Sequence, residues 1–265
     1  MRSVGGTDPE RHFYGADPSQ FADLYLPAGR HRPSTVVLIH GGWWGRHFGL
    51  DHLGGVAADL AQRGWVTWNI EYRRVGIGGG YPSTLEDAAA AIDFLATIND
   101  VNTDRVVTVG HSAGGHLATW AAGRTKLPAD APGAAPIVDI AAVISLAGVV
   151  DLAGAARERN GNGAAIALMG GSPSERPQWY EVADPMAHVP IPAVVRCVHA
   201  QSDDEVPFDQ SVTYVAAARA AGQDAELIEA SGDHYSVADA TSADWPIVIN
   251  ALEELEIALS ATAAP

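Results

Sequence analysis

The sequence is poor in cysteine, in basic residues and in long apolar runs. Its 265 residues include one cysteine, Cys197, so no disulfide can form within the chain. Cys197 lies in an apolar run, which predicts a buried and unreactive thiol. Lysine and arginine number 16 against 32 acidic residues, which gives a net charge of −16. Because so acidic a surface repels phosphate backbones and anionic lipid headgroups, we expect neither a nucleic-acid nor a membrane partner.

Segments that direct export or membrane insertion are also lacking in the sequence. The first residues, MRSVGGTDPERHFYG, contain no apolar core of a secretory signal. No stretch reaches the roughly 18 apolar residues that a membrane-spanning helix needs. These absences predict a cytoplasmic protein, and the sequence carries no signal for a particular oligomeric state.

What the sequence does contain is an alternation of short apolar runs with helical patterns. Runs rich in β-branched residues predict six buried strands, at Thr35–His40, Trp65–Ile70, Arg105–Gly110, Ala142–Ala147, Ala193–His199 and Ala225–Ala230. A further strand, Phe21–Leu26, is expected at an edge of the sheet. The alternation is typical of an α/β fold with a mostly parallel sheet and helices on both faces. We expect one such domain over residues 1–265.

Apolar stripes between the predicted strands indicate the helices. Ser83 and Glu86 have the spacing of a capping box at the start of one helix. Phe208, Val212 and Val215 are predicted to form the buried face of another. In each case the pattern predicts a helix that packs one side against the sheet.

Two longer segments interrupt the alternation. Leu127–Pro136 is rich in proline, alanine and glycine, which predicts a surface loop. Asp151–Pro192 lies between two predicted strands and is expected to be only partly helical. Its position makes it a candidate for a small cap over an active site.

A nucleophile motif follows the third of the six buried strands. Gly110-His111-Ser112-Ala113-Gly114 fits the pattern G-x-S-x-G, with a strand before it and a helical segment, Ala113–Ala122, after it. A strand that turns sharply into a helix holds the middle residue strained, with its hydroxyl above the sheet. Ser112 is therefore the candidate nucleophile. The N–H of Ala113, at the start of the helix, is a candidate donor to an oxyanion.

A second glycine motif, His40-Gly41-Gly42-Trp43-Trp44, follows the first buried strand. In this arrangement the loop after an early strand supplies the other oxyanion donor, for which Gly42 and Trp43 are the candidates. We expect His40 to brace the loop. Trp43 and Trp44 either line an acyl pocket or pack in the core. Trp44 and His111 are the tentative pocket residues.

An acid and a base follow the last two predicted strands. Asp203, Asp204 and Glu205 come after Ala193–His199 and offer three candidate acids. His234 follows Ala225–Ala230 and is the last histidine of the chain. The chain order Ser, Asp, His is the order of a catalytic triad on an α/β-hydrolase sheet.

Taken together, HGGWW, GHSAGG, HAQSDDEVP and GDH resemble the esterase and lipase branch of the α/β-hydrolases. Within that branch the chain is most similar to bacterial kynurenine-formamidase-like and small-ester hydrolases. The HGGxW loop of these proteins is matched here by His40, Gly41, Gly42 and Trp44. Their G-x-x-D-L segment is matched by Gly148, Asp151 and Leu152.

The resemblance also selects one of the three adjacent acids. The family motif H-G-x-x-D-x-x-V-P implies Asp203 as the triad acid, with Val206 and Pro207 in register. Ala200 replaces the glycine that is usual in this motif. The resemblance thus implies a triad of Ser112, Asp203 and His234.

These observations predict a serine hydrolase that cleaves esters of small or medium acyl groups through an acyl-enzyme. An arylformamidase or amidase with an N-formylkynurenine-like substrate would use the same triad. A third interpretation is a catalytically silent hydrolase fold that only binds a ligand, although such proteins often lose a triad member and all three positions are filled here. We expect no metal or organic cofactor, because the sequence contains neither H-E-x-x-H nor a P-loop pattern.

Overall fold

A mixed β-sheet forms the centre of the molecule. The computed structural model describes residues 8–99 and 101–262, and these contain eight strands in the order β1-β2-β4-β3-β5-β6-β7-β8. The strands are β1 (Glu10–Phe13), β2 (Phe21–Tyr25), β3 (Thr35–Ile39), β4 (Val66–Ile70), β5 (Val106–His111), β6 (Ile140–Leu146), β7 (Val194–Ala200) and β8 (Ala225–Ala230). Strands β3 to β8 pair in parallel, and β1 and β2 pair antiparallel.

Helices cover both faces of this sheet. They are α1 (Gly54–Gln62), α2 (Ser83–Asp93), α3 (Ala113–Ala122), α4 (Leu152–Glu158), α5 (Asn160–Met169), α6 (Pro177–Ala183), α7 (Asp209–Ala220) and α8 (Trp245–Thr262). Successive residues of β3 point to opposite faces. Val37 and Ile39 pack in one core with α2, α3 and α7, whereas Val36 and Leu38 pack in another with α1 and α8. This arrangement confirms the predicted fold class, a mostly parallel α/β sheet of the α/β-hydrolase type.

The predicted strands agree with the observed ones except at the two edges of the sheet. Each of the six strands predicted as buried begins and ends within two residues of its predicted bounds. The burial predicted for Ala225–Ala230 is wrong, because β8 is an edge strand of the sheet and only two of its six residues are buried. The strand predicted as Phe21–Leu26 is not at the edge, because β1 pairs outside it with Glu10 opposite Leu24. Most residues of β1 are exposed, so no apolar pattern marks it in the sequence.

Two predictions about helix details are wrong. Ser83 begins α2, but Pro82 occupies the cap position and no side chain caps the helix. The hydroxyl of Thr84 instead accepts the Gly80 N–H at 2.9 Å. In α7, Val212 is exposed at 38 %, and the buried face is formed by Ser211, Tyr214, Val215 and Ala218 with Gln210. The helix is therefore rotated away from the face that the apolar stripe predicted.

The two irregular segments behave differently from each other. Residues 127–136 contain no helix or strand, as expected of a loop. Residues 151–192 are partly helical, as expected, and contain the three short helices α4, α5 and α6. Residues 1–7, the first part of the segment in which no secretory signal is expected, lie outside the described residues. Among the residues that are described, no helix combines the length and the apolar character needed to cross a membrane.

Candidate active site

Ser112 lies on the sharp turn between β5 and α3. Its backbone has φ 57° and ψ −120°, a strained combination for a residue with a side chain. The turn needs glycine on both sides. A Cβ at Gly110 would lie 2.1 Å from the Gly114 carbonyl oxygen, and one at Gly114 would lie 1.9 Å from the Ile39 carbonyl oxygen. The G-x-S-x-G pattern is therefore a steric requirement of the turn that raises Ser112 at the carboxyl end of the sheet.

Asp203 and His234 are joined by a direct hydrogen bond. His234 Nδ1 donates to Asp203 Oδ2 at 2.7 Å, and Asp203 Oδ1 accepts the N–H groups of Glu205 at 2.9 Å and Val206 at 2.8 Å. Burial alone would raise the pKa of Asp203, but hydrogen bonds from His199 and His234 outweigh it and lower that pKa below its usual range. Asp203 is thus held as a carboxylate behind the imidazole of His234.

The neighbouring acids do not share this position. Asp204 and Glu205 are exposed, whereas the Asp203 side chain is fully buried. Of the three candidate acids, the structure brings Asp203 to His234.

Ser112 and His234 line a common cavity of about 30 Å³ at the carboxyl ends of the strands. Its lining consists of Gly42, Trp43, Phe48, His52, His111, Ser112, Glu205, His234 and Tyr235. In the described part of the chain the Ser112 hydroxyl makes no hydrogen bond to His234. In unliganded enzymes such contacts are often long and tighten only when substrate binds.

A larger cavity is lined by other residues. It measures about 520 Å³ and is formed by the end of β2, the helix α1 and the loop before β4, at Gly64. Neither Ser112 nor His234 lines it. The smaller cavity is therefore the candidate active site.

The glycine loop after β3 passes directly over the nucleophile. A Cβ at Gly41 would lie 2.8 Å from the Cβ of Ser112. The following residues turn through the left-handed region, with φ of 104° at Gly42, 53° at Trp43 and 54° at Trp44. Because Gly42 and Trp43 also line the cavity, the two predicted backbone donors border the space beside Ser112.

A buried histidine and glutamate brace this loop from below. His40 Nδ1 lies 2.8 Å from the Gly41 carbonyl oxygen, and its Nε2 lies 3.0 Å from Glu71 Oε1. Glu71 Oε2 also accepts the N–H of Leu50 at 3.1 Å. His40 therefore contacts the loop as expected. Glu71, at the end of β4, was not predicted, and its position directly after a buried strand was the one available signal.

The two tryptophans of the loop have different environments. Trp43 lines the cavity and packs against Gly161, where a Cβ would lie 2.4 Å from the indole. Trp44 is fully buried, and its Nε1 donates to His116 Nδ1 at 3.2 Å. The pocket role expected for Trp44 is therefore corrected to a position in the core. Trp43 has the pocket position instead.

Two further histidines stand beside the triad. His111 lines the cavity, and its Nε2 donates to the carbonyl oxygen of His234 at 2.8 Å. Its Nδ1 accepts from His52 Nε2 at 3.0 Å. Burial lowers the pKa of His111 well below its usual value and lowers the pKa of His52 to about 4. Both rings are therefore neutral at pH 7. No sequence pattern predicted His52 as part of the site.

The rim of the cavity carries negative charge. Glu205 is among its lining residues, and no lysine or arginine is. Burial raises the pKa of Tyr235, and the carboxylates of Glu205, Asp204 and Asp233 add to that effect. Within residues 8–99 and 101–262, no group of three or more His, Cys, Asp or Glu side chains is arranged to hold a metal ion.

Similar proteins support the fold and identify a family. A truncated carbohydrate esterase from gut microbiota superposes with a TM-score of 0.81 at 20 % identity, covering 97 % of this chain and 99 % of that one. Esterase 2 of Thermogutta terrifontis, with butyrate bound, superposes with a TM-score of 0.76 at 21 % identity, covering 95 % and 94 %.

Among curated sequences, an isoprenylcysteine alpha-carbonyl methylesterase of Arabidopsis thaliana is 26 % identical over 251 residues, which are 84 % of this chain and 55 % of that protein. The chain spans about a quarter to a half of the length of the curated relatives that it matches. The model of the family described as BD-FAE matches residues 22–217, which is more than half of the chain. The chain therefore belongs to the BD-FAE family, a family of α/β-hydrolases.

Proposed function

We propose that this protein is a carboxylic ester hydrolase with Ser112 as nucleophile, His234 as base and Asp203 as acid. The observation that carries the proposal is the 2.7 Å hydrogen bond from His234 to buried Asp203, in a cavity that His234 shares with the strained Ser112. Similar proteins named as esterases and a methylesterase support cleavage of esters.

The reaction would follow the two-step course of a serine hydrolase. His234 Nε2 takes the hydroxyl proton as Ser112 Oγ attacks the ester carbonyl. The N–H of Ala113 and the backbone of Gly42 and Trp43 stabilise the negative oxygen. The alcohol leaves with the proton from His234. A water molecule, deprotonated by the same imidazole, then attacks the acyl-enzyme and releases the carboxylic acid.

Labelling with a fluorophosphonate probe tests this proposal against a protein that only binds a ligand. We expect wild-type protein to be labelled at Ser112 and to hydrolyse p-nitrophenyl acetate or butyrate. A protein that is neither labelled nor active would contradict the proposal. Adding N-formylkynurenine and simple anilides to the substrate panel separates an esterase from a formamidase or amidase, because all three would use the same triad.

We also propose that residues 151–192 form a small cap within a single α/β-hydrolase domain. The start of α5 turns through the left-handed region at Gly161, Asn162 and Gly163, and Gly161 packs on Trp43. This contact joins the inserted helices to the oxyanion loop. It supports a pocket for the acyl group whose end is closed by residues 151–192 together with the indole of Trp43.

A preference for short acyl chains follows from such a pocket. The cavity beside Ser112 is only about 30 Å³, and one similar esterase, that of Thermogutta terrifontis, has been solved with butyrate and with propionate bound. We expect kcat/KM for p-nitrophenyl acetate or butyrate to exceed that for the palmitate ester by about ten-fold or more. Rates at matched substrate solubility measure this preference, and faster hydrolysis of the palmitate ester would contradict it.

Trp43→Ala tests whether the indole limits chain length. Alanine keeps the backbone N–H that the oxyanion needs and removes the ring, so the ratio of octanoate to acetate hydrolysis should rise. Ile137→Ala is the matched control, since Ile137 is 73 % exposed and does not line the cavity. An unchanged ratio in Trp43→Ala would show that another group sets the limit.

The pH dependence of activity should reflect loss of a proton from a histidine. The lowered pKa of Asp203 keeps that carboxyl ionised, and the pKa of His52, about 4, keeps that ring neutral in the neutral range. Because the base must be unprotonated to accept the serine proton, kcat/KM should rise with pH through one step. A flat profile between about pH 5 and 9 would remove a histidine as the base.

A further inference from the structure

Asp203 is hydrogen-bonded by a second histidine that the proposed mechanism does not use. His199, near the end of β7, places Nε2 3.1 Å from Asp203 Oδ2, the same oxygen that accepts from His234. His199 is fully buried. Its Nε2 also lies 3.1 Å from the Val206 carbonyl oxygen, and its Nδ1 lies 2.8 Å from the Ser211 hydroxyl.

These contacts fix the direction of hydrogen bonding. Both partners of His199 Nε2 are acceptors, so this nitrogen carries a proton and donates it. Asp203 Oδ2 thus receives two N–H donors, one from each ring. Asp203 Oδ1 is held separately by the N–H groups of Glu205 and Val206. The carboxylate therefore has four donors, and His199 is the one that acts on the oxygen facing the base.

We infer that His199 is a positioning residue, which orients the Asp203 carboxylate toward His234 and tempers the basicity of its Oδ2. The inference rests on the proposed function for its effect on turnover. A second donor withdraws charge from Oδ2, so it moderates the attraction of Asp203 for the protonated form of His234. Together with the backbone N–H groups on Oδ1, it also holds the carboxylate against rotation about its Cβ–Cγ bond.

Loss of the His199 donor should have two effects. The backbone bonds to Oδ1 would keep Asp203 near His234, while Oδ2 would become more basic and less well oriented. In His199→Phe we therefore expect kcat to fall about ten-fold or more with KM little changed, and the pH midpoint of kcat/KM to rise by about half a unit or more. His199→Gln offers an N–H at a similar position. We therefore expect its kcat and its pH midpoint to lie between those of His199→Phe and the wild type.

Other ionisable groups face His234 and are left in place by these variants. They are His111, whose ring centroid is 4.6 Å from that of His234, Tyr235 at 5.1 Å, and His52 and Glu205, which line the same cavity. A shift of the pH midpoint of kcat/KM in the His199 variants is therefore attributed to the changed hydrogen bonding of Asp203.

A matched control separates positioning from mere packing. His116 is also a fully buried histidine, and it bonds to Trp44 and to the Ala183 carbonyl oxygen rather than to the triad. His116→Phe removes a ring of the same kind, so it should lower thermal stability without moving the pH midpoint. Ser211→Ala keeps the His199 ring and removes only the hydroxyl that contacts its Nδ1. We expect this variant also to raise the pH midpoint, by a smaller amount than His199→Phe does.

Titration of the His234 ring by ¹⁵N NMR supplies a readout that does not depend on turnover. If wild-type protein is inactive and unlabelled by the fluorophosphonate, the proposed function fails, and the NMR shift still tests His199. We expect the midpoint of the His234 titration to rise in His199→Phe and in Ser211→Ala. An unchanged or lower midpoint in both, or the same shift in His116→Phe, would overturn the inference.

Discussion

Ser112→Ala should lower turnover by about a million-fold while the protein stays folded. Removing the nucleophile of a triad lowers kcat by about this factor in a serine hydrolase, because the base and the acid then have no hydroxyl to activate. The expectation rests on the strained turn that raises Ser112 between Gly110 and Gly114 and on the cavity that it shares with His234. Hydrolysis of p-nitrophenyl butyrate, with circular dichroism as the folding check, measures the effect.

A second serine variant serves as the control for Ser112→Ala. Ser260 lies on α8 and bonds to Arg105, away from the lining of the cavity. Ser260→Ala should therefore keep wild-type turnover and wild-type labelling by a fluorophosphonate. If purified Ser112→Ala retains more than a few per cent of wild-type activity, Ser112 is not the nucleophile.

Buried strands of the sheet could be predicted from the sequence more readily than exposed ones. Each residue of β3 is buried and four of its five residues are apolar, so this strand appears in the sequence as a nearly continuous apolar run. The edge strand β1 is mostly exposed and has no such run. The buried face of α7 includes Gln210 and Ser211, polar residues that an apolar stripe cannot mark. Patterns of hydrophobicity therefore located the parallel strands of the sheet, but they revealed neither the edge strand β1 nor the rotation of that helix.

The candidate site was predictable where chain order determines position. Residues that follow the carboxyl ends of parallel strands meet at one edge of the sheet, which is how Ser112, His234 and three adjacent candidate acids could be named together. The resemblance to a known family, and not chain order, selected Asp203 among the three. The supporting contacts join residues distant in sequence, such as His52 with His111 and His40 with Glu71. No local pattern encodes those pairs.

Trp43 and Trp44 mark the same limit of sequence analysis. They are neighbours with nearly equal φ angles, of 53° and 54°, and both belong to one motif. Trp43 nevertheless borders the cavity, while Trp44 is completely buried beside His116. Three successive residues with left-handed backbone angles determine the direction of each side chain. In the sequence, only the glycines of the motif indicate that such a turn is present.

The second large effect is expected at Asp203. Asp203→Asn should lower turnover by about 10,000-fold, as the equivalent change does in a serine protease. The contacts explain why the amide is so damaging here. Oδ1 of Asp203 accepts two backbone N–H groups, so an asparagine would keep its oxygen there and turn its NH₂ toward His234 and His199. That NH₂ would force His234 Nδ1 to become an acceptor.

The resulting tautomer cannot work as the base, because its proton would then sit on Nε2, the nitrogen that must receive the serine proton. The opposite orientation of the amide fares no better, since its NH₂ would face the N–H groups of Glu205 and Val206. Asp204→Asn and Glu205→Gln serve as matched controls. Both side chains are exposed and neither is hydrogen-bonded to His234, so each variant should lose less than about ten-fold in turnover.

All three variants can be compared on one activated ester, with circular dichroism to confirm folding. The variant with the largest loss of turnover identifies the acid. The size of that loss shows whether the acid sets the tautomer of His234. An inactive Asp204→Asn beside a nearly normal Asp203→Asn would move the acid by one residue and leave the hydrolase proposal standing. If Asp203→Asn instead kept a tenth or more of wild-type turnover, Asp203 would not be setting the tautomer of His234. The 2.7 Å hydrogen bond would then be structural rather than catalytic.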